Sequence, residues 1–242
     1  MNAIVTCVEY DDILALTLPR NAHHFDKVLV VTAPQDRKTE AVVASVENAE
    51  RWPTNAFYRD GCHFNKGAAI EEGFDVLGRE GWICVIDADV VMPHTIGWPV
   101  MVCGFLYVPH RRMCPNIGPW DANWTVYPTT RDRDHAGFCQ FFHADDPALR
   151  EKPWYGVRWI HAGGCDSDFQ GKWPPDHRVW LPFDVLHLGM ERVNWCGRVT
   201  PRSDGTIHPE ARGRRKALNN ILAGRRKAGY KQEYIGYGRR EA

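Results

Sequence analysis

Two carboxylates separated by one small residue, Asp87-Ala88-Asp89, follow directly on the apolar run Trp82-Ile83-Cys84-Val85-Ile86. A buried strand that ends in paired acids concentrates negative charge where a sheet opens to solvent. Two nearby carboxylates repel unless a cation lies with them. Hard oxygen ligands suit Mg2+ or Mn2+, which keep open positions for phosphate oxygens. The plainer alternative is an acidic turn, since Asp is common after strands. The strength of the preceding strand favours the chemical reading.

Three further segments carry residue types able to complete such a site. Ala162-Gly163-Gly164-Cys165-Asp166-Ser167-Asp168 joins two acids to a glycine pair that lets backbone approach a ligand closely. Asn65-Lys66-Gly67 opens a helical stretch, and a helix start bearing a lysine suits an anion. His187, within Asp184-Val185-Leu186-His187-Leu188-Gly189, offers an imidazole, although a lone histidine in an apolar strand is more often a core residue. Arg192, Asn194, Trp195 and Arg198 follow as a loop able to fold over a pyrophosphate and neutralise its charge. His135, Cys139 and His143 have zinc-like spacing but no second ligand pair, so they read as scattered residues of an aromatic segment.

The elements that position these residues read as strand, helix, strand, helix, helix, strand over the first ninety residues. Ala3 to Val8, Lys27 to Thr32 and Trp82 to Ile86 are β-branched apolar runs. Ile13 to Leu18 predicts a helix capped by one of Asp11 and Asp12. Asp36 to Glu50 and Asn65 to Leu77 have helical character. That rhythm is the signature of a parallel sheet covered by helices. Residues 93–185 are rich in Trp, Pro, Gly and His, and predict irregular, partly antiparallel structure over the carboxyl ends of the strands, where open α/β sheets place ligands. Pro209, Leu218, Ile221 and Leu222 predict a C-terminal helix.

The motifs, taken in order, resemble those of GT-A-fold glycosyltransferases of the family 2-like group. The resemblance spans roughly residues 3–198 and implies an α/β fold, an open mixed Rossmann-like sheet flanked by helices, with a basic helical tail. It divides the chain into a glycosyltransferase domain at 1–200, with a nucleotide-binding half at 1–92 and an acceptor half at 93–200, followed by an extension at 201–242. Asp89 and His187, with Asp87, would hold Mn2+ or Mg2+. Thr6 and Thr32, at strand ends, would meet the nucleotide with Asn65, Lys66, Gly67, Asp87, Arg192 and Arg198; the family's usual Asp-Asp-Gly-Ser is absent at the second strand. Asp166 would deprotonate the acceptor, with Asp168 orienting it or serving instead. The implied reaction moves a sugar from a UDP-type donor to a hydroxyl with inversion, although retaining families share several of these motifs. The rival classes are a nucleotidyltransferase, which calls for a basic Gly-rich loop after the first strand rather than Glu9-Tyr10-Asp11-Asp12, and a non-catalytic nucleic-acid-binding protein.

Bulk properties bound these readings. The 242 residues balance 30 Lys/Arg against 30 Asp/Glu, and 44% are hydrophobic. From Pro201 onward stand 11 Lys/Arg and 4 Asp/Glu, which leaves 19 and 26 in residues 1–200. A basic tail on an acidic body meets nucleic acid, a membrane surface or the body itself. Arg212, Arg214, Arg215 and Lys216, then Arg225, Arg226 and Lys227, would reach DNA phosphates, while Tyr230, Tyr234 and Tyr237 offer stacking surfaces. The acceptor would then be a hydroxymethylated base in DNA, as for viral glycosyltransferases; the plainer reading is a helix packed on the body, and the alternative acceptor is a glycan or small molecule. No run approaches ~20 apolar residues, the N-terminus lacks a charged leader, and Cys7, Cys84 and Cys103 in apolar runs read as buried thiols. The chain therefore reads as cytoplasmic, in a host cytoplasm if viral.

Overall fold

The computed structural model describes residues 1–117, 120–129, 137–190 and 193–228. Eight strands form one mixed sheet in the order β3-β2-β1-β4-β7-β6-β8-β5. They are β1 (Asn2–Thr6), β2 (Lys27–Thr32), β3 (Ala49–Pro53), β4 (Trp82–Asp87), β5 (Val90–Val91), β6 (Leu106–Cys114), β7 (Cys139–His143) and β8 (Arg178–Leu188). The first four pair in parallel, whereas β7 is antiparallel to both β4 and β6. The expected open sheet with helices beside it is what the chain forms.

The parallel half is made by apolar runs buried on both faces. Ile4, Val30, Ile83 and Cys84 are all fully buried, as strands covered by helices must be. Each large apolar side chain so enclosed stabilises the fold by roughly 1.5–3 kcal/mol. The helices are α1 (Asp11–Asn21), α2 (Arg37–Val43), α3 (Lys66–Leu77), α4 (Cys165–Gln170) and α5 (Ala211–Ala228). Helix α3 lies so close to the sheet that a Cβ on Gly73 would fall 2.9 Å from Val31 Cγ2. Its start is capped by Asn65, whose Oδ1 accepts from Ala68 N at 2.9 Å.

The structure departs from the sequence expectations in several places. Neither Asp11 nor Asp12 caps α1; the cap is Tyr10, with no side-chain bond, because both acids are drawn to arginines. The predicted helix over Asp36–Glu50 stops at Val43, and β3 follows as an edge strand whose residues are half-buried or exposed. Cys103 is exposed rather than buried, because residues 99–105 precede β6 instead of joining it. Pro209 stands ahead of α5 rather than in its first turn. Within β6, Pro109 cannot donate to a ladder, and the β6–β8 register slips between Pro109 and His110. Within 93–185, β6, β7 and the start of β8 are set among irregular segments and short 3-10 turns, and β7 supplies the expected antiparallel pairing.

Candidate active site

Asp87 is the last residue of β4 and pairs in register with Thr6 of β1. The turn after it is braced from α1. Thr17 Oγ1 donates to Ala88 O at 2.7 Å. Asn21 Nδ2 donates to Val90 O at 2.7 Å, and Asn21 Oδ1 accepts from Met92 N at 2.8 Å. With three backbone groups fixed, the carboxylates at 87 and 89 leave the sheet edge on a rigid segment. Asp89 is then set beside β8, because Leu188 N donates to Asp89 O at 2.8 Å and Val90 pairs with His187.

Asp89 and His187 are therefore neighbours, with His187 Nε2 3.5 Å from Asp89 Oδ1. That oxygen is buried and accepts no hydrogen bond from the described residues. Burial pushes the Asp89 carboxyl up to about 6, opposed by its own backbone N–H and by the charges of Lys66, Arg111 and Arg198. A buried carboxylate oxygen without a hydrogen-bond donor, faced by an imidazole nitrogen, fits a divalent cation that keeps its remaining positions for phosphate oxygens and water. Asp87 does not complete the expected trio. Its Oδ1 accepts from Lys66 Nζ at 2.6 Å, and no three His, Cys, Asp or Glu among the described residues are disposed to enclose a metal. A lysine thus already engages Asp87, which leaves Asp89 and His187 as the pair that faces one another at this edge.

Lys66 also reaches Asp166, at 3.3 Å from Nζ to Oδ1. Asp166 lies in the first turn of α4, and its side chain is 22% exposed. Burial raises its carboxyl to about 6; Lys66 pulls it down and Asp87 pushes it up again. Burial alone would lower the Lys66 ammonium, but Asp166 and Asp87 together hold it above its ordinary value. The glycine pair before Asp166 accommodates indoles. A Cβ on Gly163 would strike Trp195 at 2.3 Å, and one on Gly164 would strike Trp159 at 2.6 Å. Asp168 is held apart from this group, its Oδ2 accepting from Trp159 Nε1 at 2.7 Å.

Other predicted residues fall elsewhere. Asn65 is spent as the α3 cap and as a donor to Val157 O at 2.6 Å, so its amide faces backbone rather than a nucleotide. Thr32 is buried, with Oγ1 3.4 Å from Asp36 Oδ2. Gly67 packs against Gly156 instead of opening onto a ligand. Arg198 is a correction. Its guanidinium is 1% exposed, grips Asp12 with Nη2 3.0 Å from Oδ2, donates to the carbonyls of Glu9, Thr200 and Pro201, and lies over the Tyr10 ring. Its donors are committed to the first βα loop and to the carbonyls of Thr200 and Pro201, so none is offered to a pyrophosphate. Arg192 lies outside the described residues, as do His135, Tyr230, Tyr234 and Tyr237 and the side chains of Arg225, Arg226 and Lys227.

The basic segment after residue 200 is likewise tied to the body. Arg202 pairs with Asp11 at 2.5 Å, and Arg214 pairs with Glu9, Nη2 to Oε1 3.0 Å. Arg212, Arg215 and Lys216 remain exposed. Sequence reasoning missed Thr17 and Asn21, whose role shows only once α1 lies against the turn. It also missed Arg111, which is 7% exposed on β6 over the Phe138 ring and contributes positive potential at Asp89.

No protein-family model and no curated protein matches the sequence. Among solved structures, mannosyl-3-phosphoglycerate synthase from Rubrobacter xylanophilus aligns with a TM-score of 0.51 at 16% identity, over 96% of this chain and 74% of that one. A 4-diphosphocytidyl-2C-methyl-D-erythritol synthase from Anaerococcus prevotii DSM 20548 aligns with a TM-score of 0.42 at 10% identity, over 92% and 97% of the two chains. At such identities the likeness to the first is one of fold. The chain has the open, Rossmann-like GT-A architecture. No helix among the described residues is long and apolar enough to cross a membrane.

Proposed function

We propose that the chain is a metal-dependent glycosyltransferase that moves a sugar from a nucleotide-sugar, of the UDP type, to a hydroxyl acceptor. One observation carries the reading. At the carboxyl end of β4 stand a metal-suited pair, Asp89 and His187, and an acid suited to proton removal, Asp166, which Lys66 links to Asp87. Asp89 Oδ1 and His187 Nε2 would hold the cation, which when bound supplies Lewis-acid stabilisation of a diphosphate leaving group. Lys66 and Arg111 add positive potential at the same edge. Asp166 takes the proton of the acceptor hydroxyl as the new bond to the sugar forms, a task that depends first on placement within hydrogen-bond reach. Attack from the side opposite the diphosphate gives inversion.

The acceptor is narrowed by α5. Arg214 is engaged with Glu9, which favours packing on the body over phosphate contact for that residue. Arg212, Arg215 and Lys216 keep the DNA-acceptor reading testable. DNA binding measured over a salt series, before and after charge reversal at those three positions, decides it, and a shallow slope unchanged by the reversal would exclude that acceptor. The nucleotidyltransferase alternative is weakened by the acidic β1–α1 loop.

The primary experiment is a thermal-shift screen of nucleotide sugars with and without Mn2+. A ligand at a hundred times its Kd stabilises the native state by about 2.7 kcal/mol. A Mn2+-dependent rise with a nucleotide sugar is expected. No rise with any nucleotide sugar, or a rise with nucleoside triphosphates alone, would overturn the proposal.

A further inference from the structure

A lysine at a helix start is ordinarily available to a phosphate, but Lys66 is not placed for that. Its side chain is 7% exposed, and its Nζ spans Asp87 Oδ1 at 2.6 Å and Asp166 Oδ1 at 3.3 Å. Two glycines hold this geometry. A Cβ on Gly67 would fall 2.2 Å from Gly156 O and 3.1 Å from Cys165 Cβ, so the start of α3 is pressed against the start of α4. A Cβ on Gly137 would fall 2.0 Å from Asp166 Cγ, so the absence of a side chain at 137 is what leaves room for the carboxylate. The bonds that Asp166 accepts through its side chain from described residues, from Lys66 Nζ and from Cys165 Sγ at 3.6 Å, both fall on Oδ1.

We infer that Lys66 is a positioning residue for Asp166, its buried ammonium tying that carboxylate to Asp87 at the end of β4 so that Oδ1 is fixed and Oδ2 is left to the acceptor hydroxyl. The base role of Asp166 rests on the proposed function; the tie itself does not. In the transfer step the acceptor oxygen bonds to the anomeric carbon, the bond from that carbon to the diphosphate oxygen breaks, and the hydroxyl proton passes to Asp166 Oδ2. Lys66 gives up no proton and only holds the acid in place. The titratable groups around Asp166 are Lys66 from α3, Asp87 from β4, the neighbouring Cys165, and Tyr155 from the loop before α4.

The test uses ligand-free protein labelled with 13C at aspartate carboxyls, the Asp166 signal being assigned through Asp166→Asn. Lys66→Met is expected to raise the Asp166 titration midpoint by about one pH unit or more, Lys66→Arg to restore most of it, and Asp87→Asn to lower it, because the ammonium then serves one acid. In a transfer assay Lys66→Met is expected to reduce kcat with little change in donor KM, with the pH profile moving as the carboxyl does. A midpoint unmoved in both Lys66→Met and Asp87→Asn would overturn the inference, as would a raised donor KM at unchanged kcat, the mark of a phosphate ligand. If Lys66→Met does not fold, Asp87→Asn decides through its opposite sign. The titration needs no sugar donor, so failure of the glycosyltransferase reading would leave the tie still measured.

Discussion

His187 Nε2 stands 3.5 Å from Asp89 Oδ1 although the two residues are 98 positions apart in the sequence. Sheet pairing alone brings them together, since Val90 pairs with His187 and Leu188 N donates to Asp89 O. The pair is consequently held by the sheet, and Oδ1 accepts no hydrogen bond from the described residues.

Removing either partner should weaken cation binding. Asp89→Asn and His187→Ala are each expected to reduce Mn2+ affinity by about tenfold or more, read by electron paramagnetic resonance of free Mn2+, because two protein ligands leave no third to compensate. Undiminished affinity in both variants would take the cation away from this pair.

The brace from α1 should matter for stability and for the site together. Asn21 is 6% exposed and satisfies both Val90 O and Met92 N. Asn21→Ala strands two buried backbone groups, at a cost of about 1–3 kcal/mol for each group left unsatisfied. A lower urea midpoint together with weaker Mn2+ binding is expected; a midpoint equal to that of the unaltered chain would show that the brace bears no strain.

Arg198 predicts both a loss and a pH signature. It is buried against Asp12, and breaking a buried pair by removing one partner typically costs about 3–5 kcal/mol. Burial pushes Asp12 up, but hydrogen bonds from Arg198 and Ser203 N outweigh it and hold the carboxyl below the usual carboxylate range. A depressed folded-state value contributes stability above the unfolded value of about 3.9 that disappears as pH falls through the folded one. Urea midpoints measured from pH 7 downward should therefore drop below about pH 4, and Arg198→Met should flatten that drop. An unchanged acid limb would contradict the assignment to Asp12.

The two acids of α4 should separate kinetically. Asp166→Asn is expected to lower transfer turnover by about 10²–10⁴-fold, the usual worth of a positioned acid or base. Asp168→Asn keeps an oxygen for Trp159 Nε1 and should cost far less. The reverse order would exchange their roles.

Much of the nucleotide-side architecture was legible because it is encoded locally. Apolar runs of five or six residues specify β1, β2 and β4, and Asn65 three residues before Ala68 specifies the start of α3. β3 escaped because Ala49–Pro53 is a short edge segment bearing Glu50 and Arg51, with no buried face to impose a period. The site was legible as a set of residue types but not as partnerships. Nothing in the sequence around Lys66 names Asp166, a hundred positions on, and nothing around Arg198 names Asp12, 186 positions back. Arginines that stabilise a leaving group and arginines that fasten a loop have the same composition, and only the distance to a partner distinguishes them. Gly67 and Gly137 illustrate the same limit, since what each glycine must make room for belongs to another part of the chain.

The arginine clasp from Arg198 to Arg214 has a consequence for the order in which the protein is made. Glu9, Asp11 and Asp12 leave the ribosome well before their partners, which follow them by 186 positions for Asp12–Arg198, 191 for Asp11–Arg202 and 205 for Glu9–Arg214. Through most of synthesis the loop after β1 carries three carboxylates without their cations, and Tyr10 without the guanidinium that covers it. The parallel half of the sheet can assemble early from its own apolar strands, while the loop after β1 is fastened only once Arg198, Arg202 and Arg214 have been added. Nascent chains cut short before Arg198 would hold all eight strands of the sheet beside a β1–α1 loop whose acids lack their cations.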